Sequence, residues 1–330
     1  MSGTIMDTNP PPAAISEPET RPASGPTGID LPPPSFAVLP RRENPFLAIF
    51  IGPDGLYSGT RWLIYFAMGG ILLGVFGVLR HFVHTPRGGS IWWGLLSEAA
   101  VALAAILPAF AMARIEKRPF GDFGLPARNA FRRNFWIGTL WGIASLSVLM
   151  IALRIAGAFD FGSLSVHGLP IAKYALYYAL FFLMVSFFEE FLLRGYSQWV
   201  LSQGMNFWPA AALLSAGFGA LHSSNPGESK AGLLAAALIG FFFCLTLRRT
   251  GDLWWAVGFH MSWDWGESYL YSVPDSGGMM PGHLFNSSFH GPAWLTGGSV
   301  GPEGSALVFV VIVALWVGFD RVYPEVKYGN

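Results

Sequence analysis

The stretch Tyr174–Leu193 reads YALYYALFFLMVSFFEEFLL, and Arg194 follows it. About 20 apolar residues cross the hydrocarbon core of a bilayer as one helix, and this segment has that length. Glu189 and Glu190 lie near its end. A carboxylate in such a place costs roughly 2.5–3.5 kcal/mol on insertion scales, and spans keep such groups mainly where they line a cavity or do chemistry. This segment therefore makes the chain a membrane protein and makes its glutamates the first functional candidates.

Composition agrees. The 330 residues are 52% hydrophobic and 12% charged, where a soluble domain carries about 25% charged residues. Net charge is zero, so there is no electrostatic footprint for nucleic acid. Cys244 is the single cysteine. It excludes an intramolecular disulfide and a cysteine zinc cluster and reads as a packing residue. The first apolar span begins near Trp62, beyond the usual region of a secretory signal. Residues 1–45 hold nearly half of the 24 prolines and are expected to be a disordered or polyproline-like tail. Asn44–Ile51 (NPFLAIFI) is too short to span and is expected on the membrane surface.

The fold class is all-α, a polytopic transmembrane bundle of about eight spans: 62–79, 91–113, 136–156, 170–193, 207–222, 231–247, 253–271 and 304–320. Tryptophans at several ends (Trp62, Trp92, Trp93, Trp136, Trp208, Trp254 and Trp255) fit an interfacial belt. Basic residues set the orientation. Arg114, Lys117, Arg118, Arg128, Arg132 and Arg133 fall between spans two and three, and Arg248 and Arg249 between six and seven. Arg41, Arg42 and Arg61 precede the first span, and Arg321 and Lys327 follow the last. The segment 272–303 has no Lys or Arg. Both termini are thus expected in the cytoplasm of a cell (inner) membrane, and the Gly-rich 272–303 loop outside. Gly70 and Gly74 form a GxxxG, read as packing within the bundle. The divisions expected are a tail (1–45), N-terminal helices (46–160), a core (161–271), the external loop (272–303) and a final helix (304–330).

Three helical pieces carry polar groups four residues apart, hence on one face: Glu190 with Arg194, Phe218 with His222, and His260 with Asp264. Two adjacent carboxylates in a low dielectric resist being ionised together. Arg194 can hold Glu190 as a carboxylate, which leaves Glu189 free for proton transfer. Such a glutamate takes a proton from water and later gives it to a leaving amine. His222 can orient the same water or relay the proton. His260 can donate to a developing oxyanion. These parts suffice for peptide-bond hydrolysis within a membrane. Taken alone, the Phe of Phe218–His222 carries almost no information. Glu98 and Glu267 read as structural or cavity-lining, and His283 and His290 as a chance pair.

The strings Glu189-Glu190-Phe-Leu-Leu-Arg194, Phe218-Gly-Ala-Leu-His222 and His260-Met-Ser-Trp-Asp264 resemble, in order, the EExxxR, FxxxH and HxxxN/D motifs of the CPBP family. That family holds type II CAAX prenyl endopeptidases and the Abi group of bacteriocin-processing and self-immunity proteins. The likeness covers about residues 170–270. It implies an intramembrane endopeptidase in which Glu189 activates water with help from His222, Glu190 and Arg194 support the site with Phe218, and His260 and Asp264 stabilise the oxyanion. Family members often have Asn at the last position, and an amide donates where an ionised Asp does not. Asp264 is then protonated, or orients His260, or helps bind a metal. Glu189, His222, His260 and Asp264 form a legitimate zinc set, and a metal-free glutamate site is the other reading. The implied partners are a membrane-associated peptide or protein substrate and the lipid bilayer. A non-proteolytic immunity or scaffold protein and a proton-coupled transporter are the competing readings.

Depth poses a problem. With straight spans, Glu189 and His260 fall in the cytoplasmic half and His222 near the outer face. One site containing all three requires a fifth helix that is broken, re-entrant, or begun near Gln198 and strongly tilted.

Overall fold

The computed structural model describes residues 49–53, 55–82 and 91–329. The expected tail lies outside the described residues, as does Asn44–Ile51 up to residue 48. Ten α-helices are described: α1 (Ser58–Phe82), α2 (Ile91–Ile115), α3 (Arg133–Ile155), α4 (Leu169–Glu190), α5 (Gln198–Met205), α6 (Phe207–Leu221), α7 (Lys230–Thr250), α8 (Trp254–Trp265), α9 (Ala293–Thr296) and α10 (Ala306–Val322). The only strands described are two short pairs, β1 (Ile51–Gly52) with β2 (Gly55–Leu56) and β3 (Phe159–Asp160) with β4 (Ser288–Phe289). The class is all-α, as expected.

Five helical stretches are long and apolar enough to cross a membrane: α1, α2, α3, the run Leu169–Met205, and α7. The other three expected spans are also helical, as α6, as α8 with a wider-wound extension Gly266–Tyr271, and as α10. They are shorter, with α6 and α10 having 15 and 17 residues.

The helix that carries the two glutamates does not stop where its apolar pattern fades. After Glu190 it widens into a π-helical segment, Phe191–Ser197, bends at Gly195 (φ −85°, ψ −116°) and continues as α5. A Cβ on Gly195 would lie 2.6 Å from the Phe191 ring, so the bend needs glycine. The chain then reverses at the single residue Asn206, whose φ of +70° and ψ of 167° fall in a region that side chains other than glycine's rarely adopt. Glu190 and His222 each lie sixteen positions from Asn206, on opposite arms. At 1.5 Å per residue both arms are about 24 Å long, and so His222 returns to the level of Glu190. This removes the depth conflict. Gln198–Met205 extends the fourth helix rather than opening the fifth.

Helix α8 is set by its contact with α3. A Cβ on Gly138 would lie 2.0 Å from the Trp255 carbonyl oxygen, one on Gly142 2.3 Å from that of Phe259, and one on Gly258 2.1 Å from that of Phe135. Small residues let two membrane helices approach backbone to backbone. Here they do so for the helix bearing His260 and Asp264. The expected bundle contact of Gly70 and Gly74 is not made: a Cβ on either would meet nothing within 4 Å, whereas neighbouring Gly69 faces the Ala104 carbonyl. Gly70 and Gly74 sit on the open side of α1, one position round from the packed face.

The 272–303 segment is folded against the bundle. Phe159 and Asp160 pair with Phe289 and Ser288. Ser165 N–H donates to the Leu284 carbonyl at 2.8 Å, and Tyr178 Oη donates to the Pro281 carbonyl at 2.8 Å. Gly277 N–H donates to the Val300 carbonyl at 3.0 Å. His283 and His290 have separate partners, the Met280 carbonyl and the Asp160 carboxylate.

A methyl-bearing side chain at Gly258 must push α3 off α8. Gly258→Val is expected to lower stability by more than the 1–3 kcal/mol of ordinary overpacking, read as a fall in melting temperature of the detergent-solubilised protein. Gly70→Val, on an open face, is expected to leave that temperature unchanged.

Candidate active site

The π-helical turn after α4 buries its motif residues. Glu190 and Arg194 are fully buried, while Glu189 keeps a quarter of its side chain accessible. Arg194 Nη1 lies 3.4 Å from Glu190 Oε1. The same Glu190 oxygen accepts from His260 Nδ1 at 2.9 Å. Arg194 Nε and Nη2 have no hydrogen-bond acceptor. The guanidinium is instead faced by aromatic rings, 4.4 Å from the Phe218 centroid and 6.0 Å from that of Phe243. A cation over an aromatic face gains about 2 kcal/mol or more when desolvated.

Phe218 thus has a definite role: it covers the buried arginine. Its ring also meets that of His222 edge-on at 4.5 Å. Phe243 on α7 stacks on His260 at 5.8 Å. Gly240, one turn earlier on α7, leaves the room: a Cβ there would lie 2.1 Å from Arg194 Nη2. Reading the sequence missed Phe243 and Gly240, and nothing in an apolar helix marks them. The Phe218 role was open to inference only once Arg194 was known to be buried.

The three pieces meet through these contacts. Glu190 links to His260, Arg194 to Phe218, and Phe218 to His222. His260 Nε2 stands 3.4 Å from Asp264 Oδ2 and 3.6 Å from Glu189 Oε2. His222 Nδ1 donates to the Phe218 carbonyl at 2.9 Å, which leaves Nε2 as the other polar atom of the ring. Glu189, His222, His260 and Asp264 all line one cavity of about 700 Å³. Glu98 of α2 lines it as well, and so do Asp275 and Glu303 of the 272–303 segment. Its walls therefore include residues on both sides of 161–271.

Glu189, His222, His260 and Asp264 are the residues that would hold a zinc ion, and all four line the cavity. The acidic and histidine ligand atoms that the described residues gather within 4.8 Å of one another belong to a different set, Glu267, Asp275 and Glu303. His260 Nδ1 bonds to Glu190, the outer support that a metal-bound imidazole also has, and its Nε2 faces two carboxylates.

A helical bundle with a cavity of acid–base groups sunk among its apolar helices is an integral membrane protein with the makings of a hydrolase. Residues 170–266 match the family model described as type II CAAX prenyl endopeptidase Rce1-like, a match that agrees with the CPBP resemblance of the three motifs and supports a membrane protease. No curated protein matches the chain.

Removing one partner of a buried ion pair costs about 3–5 kcal/mol, because a lone charge is left behind. Arg194→Met is expected to destabilise the protein by that order in a denaturation series. Glu190→Gln with Arg194→Met is expected to recover most of the loss while giving His260 Nδ1 a neutral amide acceptor in place of a carboxylate.

Proposed function

We propose that the chain is an intramembrane endopeptidase that hydrolyses a peptide bond of a membrane-anchored substrate. The observation that carries this reading is the convergence of Glu189, His222, His260 and Asp264 on the walls of one cavity. The burial difference divides the glutamates. Glu189, open to the cavity, is the group that can reach a water; Glu190, sealed off, holds His260 and Arg194.

In the proposed reaction a water sits between Glu189 and His222 Nε2. Glu189 takes a proton from it as the oxygen attacks the scissile carbonyl carbon. The carbonyl oxygen becomes an oxyanion, and a protonated His260 Nε2 donates to it. Glu189 then passes its proton to the leaving amine as the C–N bond breaks. Two carboxylates face His260 Nε2, and that pairing calls for an N–H at this atom rather than a lone pair. Asp264 thereby serves as a positioning residue for the His260 ring. The oxyanion donor is the imidazole, so an Asn-type amide at position 264 is not required. This is the metal-free glutamate reading, in which Asp264 and Glu189 engage His260 Nε2 directly.

A cavity of about 700 Å³ is in the range of small-ligand sites, large enough for a few extended residues. The matched family gives a lipid-modified C-terminal segment as the first substrate class to try. The distribution of basic residues supports cytoplasmic termini at the cell membrane, with the 272–303 segment on the far side.

Purified wild type is expected to cleave a quenched, membrane-anchored peptide library. Glu189→Ala and His222→Ala are each expected to lower the rate by about 10²–10⁴-fold, the usual weight of acid–base catalysis, with folding unchanged. Asp264→Asn is expected to keep part of the activity, since the amide can still orient His260. Cleavage that survives Glu189→Ala would overturn the reading. No cleavage by folded wild type on any anchored peptide would favour a partner-binding role for the same cavity.

A further inference from the structure

A second cluster lies where α8 ends and the 272–303 segment folds back. Glu267 belongs to the π-helical turn after α8, Asp275 to the first loop, and Glu303 to the turn before α10. One carboxylate oxygen from each lies within 4.8 Å of the others. Glu267 is fully buried, and neither of its oxygens has a hydrogen-bond partner. The Trp263 indole is the nearby donor, but it does not reach hydrogen-bond geometry with either oxygen. A buried carboxylate with both oxygens unsatisfied is rare and costly.

No lysine or arginine among the described residues is paired with the cluster. No Lys or Arg occurs between residues 250 and 320. Among the described residues, none of the ion pairs joins a Lys or Arg to Glu267, Asp275 or Glu303. Withdrawal from solvent, with Asp264 and Glu303 nearby, pushes the Asp275 carboxyl well above the usual range.

The cluster is nonetheless held in place. Ser268 Oγ donates to Asp275 Oδ2 at 3.2 Å. Ser276 donates to Glu303 Oε2 through its N–H at 3.1 Å and its Oγ at 3.0 Å. Gly301, with φ +103°, lets the two strands of the loop close: a Cβ there would lie 2.0 Å from the Pro274 carbonyl oxygen. Those bonds bring two acidic side chains up to a third instead of keeping them apart.

We propose that Glu267, Asp275 and Glu303 bind a divalent cation through carboxylate oxygens, Ca²⁺ by size and hardness, and that the ion fastens the 272–303 segment to the end of α8 at the cavity wall. Oxygen-only sites suit hard cations. Ca²⁺ takes oxygens at 2.3–2.6 Å, so opposite ligands stand up to about 5 Å apart, and the observed spacing fits without rearrangement. The site is distinct from Glu189, His222, His260 and Asp264, and outside the family-matched residues 170–266 apart from its boundary with Glu267.

The test uses full-length detergent-purified protein stripped with EDTA and titrated calorimetrically with Ca²⁺, Mg²⁺ and Zn²⁺, alongside melting curves and Tb³⁺ luminescence sensitised by Trp263. One equivalent of Ca²⁺ is expected to bind saturably, more tightly than Mg²⁺, and to raise the melting temperature by several degrees. Glu267→Gln and Glu303→Gln are each expected to weaken Ca²⁺ binding at least about tenfold, the scale on which lost ligands and their supports act. Both variants should melt no lower than wild type in EDTA, because each removes a repelling charge; that control separates a lost site from a lost fold. Glu189→Ala is expected to bind Ca²⁺ as wild type does. The proposal is overturned if wild type shows no saturable Ca²⁺ binding at millimolar concentration, or if Glu267→Gln and Glu303→Gln, both folded, bind it unchanged.

Discussion

A guanidinium and a carboxylate, both withdrawn from water inside an apolar bundle, set the terms for everything around them. Arg194 and Glu190 compensate each other only partly: one oxygen and two nitrogens of the pair have no hydrogen-bond partner. The remaining charge is met by softer means. Phe218 and Phe243 present ring faces to the arginine, and Gly240 withholds a side chain so that it fits. The Glu190 oxygen that faces Arg194 also accepts from His260. Each element that touches the pair is thereby placed in relation to the others, and the cavity is what remains between them. Such an arrangement is weak as a source of stability, since two charges must be desolvated. Its value lies in registering three helices against one another.

Widened helical turns recur at the site. Both the glutamate helix and the His260 helix turn π-helical directly after their motif residues, at Phe191–Ser197 and Gly266–Tyr271. An extra residue in a turn frees backbone from the regular ladder and redirects the side chains that follow. In the first case it turns Arg194 inward beneath Glu190; in the second it carries Glu267 into the interior.

Much of the bundle was legible in the sequence because long apolar runs have few alternatives to helix in a bilayer. Every expected span is helical, and the ends agree to within about four residues except for the fourth, whose helix runs on to Met205. The depth of His222 was not legible. The apolar pattern breaks at Arg194, which looks like an exit from the membrane, whereas the helix runs on to Met205 and only then reverses at Asn206. The site residues were recognisable because ionisable groups are rare in spans, and their number was small. The residues that shape the site were not: Gly138, Gly142, Gly240 and Gly258 differ in no visible way from Gly70 and Gly74, which touch nothing. Their difference lies in which helix passes opposite, and that is tertiary information. The 272–303 segment showed only its lack of basic residues. Its fold depends on hydrogen bonds to Ala158, Ser163 and Ser165, more than a hundred residues away, which no local pattern encodes.

The cavity draws its last wall from the end of the chain, where Val308, Ile312 and Leu315 of α10 line it together with Glu303. The acid–base residues, from Glu189 to Asp264, are all synthesised before that wall exists. During insertion into the membrane the site is therefore open on one flank, its charged groups reachable by lipid and water, until α10 docks. A ribosome pausing after residue 271 would hold a complete set of reactive side chains without an enclosure. The chain thus places the closing of this flank after the chemistry has been spelled out, so that α10 completes the cavity wall last.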